Sequence, residues 1–246
     1  MVQKDLEKVA SIIKNSKHTT AFTGAGISVE SGIPPFRGAS GLWNKYDPKV
    51  LSLTYFYSDP ENAWIHIREI FYDFFGKAKP NNAHLNLAKL EHSGIVKAVI
   101  TQNIDNLHQE AGSKNVIEFH GTAKTLICTR CKTTYNANSI ALEMLPPLCP
   151  KCNKVLKPNF VFFEEGIPEE AYNKSLNQAL AADVFLVIGT TGEVMPASFI
   201  PREAKSNGAI IIEINTEPSY YTNTITNIFL KGKAGEILPQ LIALIL

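Results

Sequence analysis

The chain has four cysteines, and they fall as two pairs, Cys128-Thr129-Arg130-Cys131 and Cys149-Pro150-Lys151-Cys152. Tetrahedral zinc needs four thiolates at about 2.3 Å, and each C-x2-C turn can present two of them from a tight knuckle. A redox pair would instead place one C-x-x-C at a strand-to-helix junction. Structural zinc on Cys128, Cys131, Cys149 and Cys152 is therefore the expectation. Four protein thiolates close the coordination shell and leave no position for an activated water, so the metal is not expected to catalyse.

Other clusters could also do chemistry. Thr19-Thr20-Ala21-Phe22 breaks into Thr23-Gly24-Ala25-Gly26-Ile27-Ser28, a glycine turn after a β-prone run, as in a dinucleotide site. Its G-x-G-x-x-G fingerprint ends in Val29, so taken alone it reads equally as a tight turn without ligand. Ile33-Pro34-Pro35-Phe36-Arg37-Gly38 is a stiff apolar loop whose one Arg suits a phosphate or carboxylate. Thr101-Gln102-Asn103-Ile104-Asp105-Asn106-Leu107-His108 is dense in hydrogen-bonding groups, either a polar pocket or a solvated loop with helix-capping Asx residues. His120 ends an apolar run and precedes Gly121. It is a candidate general base, against the plainer reading of a surface or core-satisfied imidazole.

These clusters need elements to position them. Leu6, Val9, Ala10, Ile12 and Ile13 recur at helical spacing, and so do Leu85, Leu87, Ala88 and Leu90 within 83–92, closed by Gly94. The runs 96–100, 116–119, 184–188 and 210–214 are predominantly apolar rather than alternating, which predicts strands buried on both faces of a parallel sheet. Each run stops at small or polar residues, where ligands gather in such sheets. Two stretches interrupt the repeat: 33–80, rich in aromatics and Pro, and 122–158, with all four cysteines. Both read as insertions into one α/β domain made by 1–34, 83–121 and 159–246: a loop followed by a small helical module over 35–82, and a zinc module over 122–158. With 246 residues and 45% apolar content, a sizeable core is possible and a disordered or fibrous chain is excluded. A net charge of +1 argues against a polybasic nucleic-acid or membrane binder. No apolar run approaches the ~20 residues of a spanning helix, and the N-terminus lacks a signal-peptide core. The expected compartment is the cytosol, where paired cysteines favour metal over disulfides.

The motifs together resemble those of the sirtuins, NAD-dependent protein-lysine deacylases, in a short catalytic core of bacterial or archaeal type. Gly24–Ser28 followed by Gly32–Arg37 is similar to the first family signature, Thr101–His108 to the second and His120-Gly121 to the third. The double C-x2-C, 157–163, Gly189-Thr190-Thr191 and Ile214–Pro218 continue the likeness in order, from about Lys17 to Glu236. The resemblance implies an α/β fold, a Rossmann-like parallel sheet beside a smaller domain of zinc-ribbon and helical modules, with acyl-lysine peptide entering the cleft between them. It also implies that Gly24, Ala25 and Gly26 approach the NAD pyrophosphate, while Phe36 and Arg37 shield the reacting ribose. Gln102 would contact that ribose, and Asn103, Ile104 and Asp105 would line the nicotinamide pocket. Gly189, Thr190, Asn215 and Ala234 would meet the phosphate and adenosine end. His120 would be the catalytic base, with Asn103 beside it. The peptide would pair with 161–165 and 192–194, with Val161, Phe162 and Val194 contacting substrate.

The implied reaction moves the acyl group onto ADP-ribose, giving free lysine, nicotinamide and 2′-O-acyl-ADP-ribose. Departures from the family pattern are Val29, Pro35 and Glu164, the last standing where Gly is usual and expected to narrow the peptide groove or favour a basic neighbour of the target lysine. Family members that prefer succinyl or malonyl lysine carry a Tyr-x-x-Arg pair. Here Arg68 has no Tyr three residues before it and reads as a solvated helix residue. Acetyl or other apolar acyl groups are thus the expected substrates. The alternative is a protein ADP-ribosyltransferase on the same scaffold. A non-catalytic NAD sensor and an ordinary dehydrogenase fit less well, the latter for want of a ribose-binding acid about 20 residues after the turn. The expected partners are acyl-lysine proteins or peptides, without direct nucleic-acid or membrane binding, met by a cytoplasmic monomer.

Overall fold

The structure, a computed structural model, describes residues 2–38, 41–74 and 77–246, apart from the side chains of residues 2, 3 and 74. Met1 and residues 39–40 and 75–76, which fall in the predicted Rossmann and helical segments, lie outside it.

Six parallel strands form the main sheet. They are β1 (Thr19–Thr23), β2 (Val96–Thr101), β3 (Val116–Glu118), β7 (Val184–Ile188), β8 (Ile210–Asn215) and β9 (Ile228–Lys231), ordered β3-β2-β1-β7-β8-β9. Every residue of β1 and β7 is buried, which is why these strands read as unbroken apolar or β-branched runs. Along them Ala21, Leu186 and Ile188 point to one core, and Phe22, Phe185 and Val187 to the other. Helices α1 (Val2–Asn15), α4 (Asn82–His92) and α8 (Ala234–Ile245) cover the first face through Leu6, Val9, Leu87, Leu90 and Leu238. Helices α6 (Glu169–Ala181) and α7 (Ile200–Ser206) cover the second through Ala179, Ile200 and Ala204. The strand order reverses between β1 and β7, so the crevice at a topological switch point opens beyond Thr23 and Ile188.

A second, antiparallel sheet of order β5-β4-β6 is made of β4 (Gly121–Cys128), β5 (Thr134–Asn136) and β6 (Leu156–Phe160). It packs on α2 (Leu53–Ser58) and α3 (Pro60–Ile67), whose first turns are capped by the Ser52 and Asp59 side chains. Phe56, Trp64 and Ile67 from these helices share one core with Leu126, Cys128, Leu156 and Phe160. Trp64 Nε1 donates to Leu156 O at 2.8 Å, and Tyr72 OH to Ala123 O at 3.0 Å. The two inserts therefore fold as one packed unit. Arg68 borders this seam: Nη1 donates to Leu142 O at 3.0 Å and Nε lies 3.5 Å from Asp73, with 36% of its side chain exposed, so it is only partly the solvated residue expected. Strand β6 ends at Phe160.

Candidate active site

The ends of β1 and β7 interlock. Gly24 N donates to Ile188 O at 3.0 Å and Gly26 N to Gly189 O at 2.8 Å. A Cβ on Gly24 would stand 2.8 Å from Gly189 O, and one on Gly26 2.7 Å from Gly189 Cα. Gly189 itself has φ +62°, the left-handed region. These glycines are thus required by loop-on-loop packing as well as by any ligand above them. The turn opens into a 3-10 helix, Ala25–Ser31, rather than the α-helix of the full fingerprint. From that helix Glu30 Oε2 accepts the Gly235 N–H at 2.8 Å, tying the glycine turn to the start of α8.

Beneath the turn lies a buried polar network. Asn103 Nδ2 donates to Gly24 O at 3.2 Å and to Ser28 Oγ at 3.1 Å. Ser28 Oγ in turn donates to Asp105 Oδ2 at 2.7 Å. Asp105 also accepts Leu107 N–H at 3.0 Å; burial pushes its carboxyl up and these bonds pull it back. Behind stand His84 from α4 and His108 from α5 (Leu107–Glu110), with ring centroids 4.9 Å apart. Burial pushes His84 down to about 4 and His108 well below its usual value, so both rings are neutral.

His120 follows β3. A peptide carbonyl can only accept, so the 2.9 Å contact between His120 Nδ1 and Gln102 O places the proton on Nδ1 and leaves Nε2 with a free lone pair. Burial lowers its pKa, and the Gln102 bond partly opposes this. Gln102 Nε2 reaches across to Thr190 Oγ1 at 3.0 Å, and Asn215 Nδ2 donates to Thr190 O at 3.0 Å. One span of hydrogen bonds thus links the carboxyl ends of β2, β7 and β8.

These elements enclose a cleft of about 1120 Å³. That exceeds the ~300–1,000 Å³ of a single small-ligand pocket and leaves room for a dinucleotide beside a second ligand. Gly24, Ala25, Gly26, Phe36, Arg37, Gln102, Asn103, Ile104 and His120 all line it. So do Gly189, Thr190, Asn215, Ala234, Val161, Phe162 and Val194. Of the expected contact residues, Asp105, which bonds Ser28 beneath Asn103, and Gly192 and Glu193 of the 192–194 peptide segment are absent from the walls. Sequence reasoning missed Trp43, Leu51 and Phe71, which complete an apolar wall with Phe36 and Phe160. Arg68 is not part of that wall. Arg37 lies 3.7 Å from Glu193 across the cleft mouth. Glu164 has φ +73° and turns its carboxylate onto Thr54, accepting from N at 3.0 Å and Oγ1 at 2.6 Å; these bonds hold its pKa down.

The four cysteine sulfurs lie within 4.8 Å of one another, with Cys128–Cys152 at 3.4 Å and Cys131–Cys149 at 3.6 Å. A zinc tetrahedron with ~2.3 Å bonds has edges of roughly 3.8 Å, so the arrangement fits the metal. Cys128 Sγ also accepts the Arg130 and Cys131 N–H groups at 3.4 Å, as a thiolate in a knuckle does.

A Rossmann-type sheet with a dinucleotide-sized cleft at its switch point, roofed by a zinc-bearing module and carrying a neutral histidine, defines a class of NAD-using proteins. The Sir2 family model matches residues 24–196, and this chain belongs to the Sir2 family. Its relatives include the NAD-dependent protein deacylase of Pyrococcus furiosus, 48% identical over 96% of each chain. Another is NAD-dependent protein deacylase 2 of Pyrobaculum aerophilum, 44% identical over 95% of this chain and 93% of that protein. Among solved structures, a Sir2 homologue–NAD complex matches with TM-score 0.89 and 40% identity, covering 97% of this chain and 93% of the other. A Sir2–p53 peptide–NAD+ structure matches with TM-score 0.90 and 34% identity over 97% of each chain.

Proposed function

We propose that this chain is an NAD-dependent protein-lysine deacylase that removes acetyl or other apolar acyl groups. The observation that carries the reading is His120, whose Nδ1 donates to Gln102 O and whose burial disfavours the imidazolium, on the wall of a cleft large enough for both cofactor and peptide. Gly24, Ala25, Gly26, Gly189 and Thr190 would hold the phosphates, with Asn215 and Ala234 toward the adenosine. Gln102, Asn103 and Ile104 would hold the reacting half, and Asp105 would act on it by orienting Ser28 and Asn103. NAD supplies a ribose carbon that becomes electrophilic as nicotinamide departs. Phe36 and Trp43, with centroids 5.3 Å apart, cover that end with apolar surface and keep water from it. Val161 and Phe162 line the path of the lysine stem, Val194 faces them, and His120 Nε2 takes a proton from a ribose hydroxyl.

The apolar Leu51, Phe71 and Phe160 side chains at the cleft wall support an acetyl or apolar acyl group over a dicarboxylic one, since they offer nothing to pair a second carboxylate and the Lys157 ammonium behind them is taken up by Pro158 O, Phe160 O and Glu165. The cysteine cluster fits a closed, structural zinc. The separate cores support setting a Rossmann-like body (1–34, 83–121, 159–246) apart from the inserts, while the cofactor loop and helical module (35–82) and the zinc module (122–158) share one core into which Phe160 and Phe162 reach. Among the described residues no helix is long and apolar enough to cross a membrane. Four thiols gathered around one point, rather than paired as disulfides, support a reducing compartment and hence the cytoplasm. Nothing at the site favours ADP-ribosyl transfer to protein over deacylation. The test is His120→Ala. It should lower NAD-dependent deacylation by about 100-fold or more while NAD still binds; an active variant would remove His120 from the chemistry.

A further inference from the structure

Lys157 is the one buried lysine or arginine among the described residues, with 6% of its surface exposed. Its ammonium is fully engaged. It donates to Phe160 O at 2.7 Å, to Pro158 O at 3.1 Å and to Glu165 Oε2 at 2.9 Å. It also lies 4.2 Å from the centroid of the Phe162 ring. The same Glu165 oxygen accepts the Phe162 N–H at 3.0 Å, and Glu165 N donates to Phe162 O at 3.1 Å. One cation and one carboxylate thereby close the stretch from Phe160 to Glu165 into a small ring of bonds. That stretch runs on from β6 without a ladder of its own. Its other anchors are Val161 N to His120 O at 2.8 Å, Phe163 N to Leu51 O at 2.9 Å, Leu53 N to Phe163 O at 3.0 Å and the Glu164 carboxylate on Thr54.

An ion pair that buries its lysine, here with the Glu165 side chain 31% exposed, is a poor device for stability alone. Its desolvation cost is large, and a well-packed apolar replacement often serves the fold as well or better. Burial lowers the Lys157 pKa and the Glu165 carboxylate opposes this, which fits a charge kept for the bonds it makes. Those bonds converge on the stretch whose side chains Val161 and Phe162 line the cleft and whose first residue after β6 is hydrogen-bonded to His120.

We propose that Lys157 and Glu165 are positioning residues for the acyl-lysine substrate. They hold residues 160–165 in the shape that receives the peptide and set Val161 and Phe162 against the lysine stem beside His120. This rests on the deacylase reading. Neither residue acts on the cofactor, so their effect belongs to the peptide alone.

The test uses K157M, K157R, E165Q and the double variant K157M/E165Q, with steady-state kinetics against an acetyl-lysine peptide and against NAD, thermal midpoints, and amide hydrogen exchange of residues 160–166. K157M should raise the KM for peptide by about tenfold, with the KM for NAD held within about twofold and kcat changed less than the peptide KM. K157R keeps the charge and the donors and should recover most of the loss. The double variant leaves no unpaired buried charge, so it should recover thermal stability without recovering peptide KM. An unchanged peptide KM in K157M would overturn the proposal. So would peptide and NAD constants rising together, or a double variant that regains both stability and peptide affinity. If the wild-type protein shows no NAD-dependent deacylation, the functional reading fails separately. Exchange then decides the clamp: faster exchange of 160–166 in K157M supports it, and unchanged exchange refutes it.

Discussion

One hydrogen bond decides which nitrogen of His120 can work. Because Gln102 O takes the Nδ1 proton, Nε2 is a base whenever the ring is neutral. Burial disfavours the imidazolium, so the ring titrates below its usual 6.5, with the Gln102 bond opposing part of that shift. The active form is present above the lowered pKa and is lost as pH falls through it. The acid limb of kcat/KM should therefore lie below pH 6.5 and vanish in His120→Ala; a limb centred above 7 would contradict the assigned state. His120, Asn103 and the glycines of the turn were legible in the sequence because each sits in a short cluster just past an apolar run. Glu30 was not, since its bond to Gly235 spans 205 positions. His84 was not either, because nothing in α4 marks its contact with Ser28 at 3.4 Å. A lysine such as Lys157 reads as surface until the fold shows it buried.

At the scale of elements, apolar runs announced β2, β3, β7 and β8, a short β-prone run announced β1, and helical periodicity announced α1 and α4. Strand β9 has only four residues at the sheet edge, too short to carry a pattern. Strand β4 has one partly exposed face and a bulge in its pairing with β6, so no unbroken apolar run marked it within the cysteine-bearing insert. The union of the two inserts was likewise invisible, because Trp64 meets Leu156 across 92 positions. That union gives zinc a structural consequence. Cys128 and Cys149 belong to the same core as Trp64, Phe71 and Phe160, and the last two line the cleft. Metal analysis should find one zinc per chain. Chelation, or Cys149→Ser, should loosen the Trp64 environment, read by tryptophan fluorescence, and abolish deacylation, with zinc restoring both after chelation. Full activity in a metal-free protein of unchanged stability would refute the structural role.

At the scale of the whole molecule, two bodies meet at one cleft. The sheet body contributes the glycine turns, the Asn103 network and His120. The insert body contributes the apolar wall of Leu51, Phe71 and Phe160. The overall charge of +1 leaves recognition to the cleft itself. The sequence pointed to acetyl-lysine chemistry by the missing Tyr before Arg68. The structure supplies a physical ground: Arg68 is spent on Leu142 O and Phe71 faces the cleft. An acetyl-lysine peptide should accordingly outcompete its succinyl counterpart in a mixed assay. The central claim is tested most directly by incubating the protein with an acetyl-lysine peptide, with and without NAD, and quantifying products by mass spectrometry. The account predicts one nicotinamide and one acyl-ADP-ribose for every lysine freed, and no deacetylation without NAD. Lysine freed without NAD, or nicotinamide released with ADP-ribose transferred to protein while the acetyl group stays in place, would contradict it.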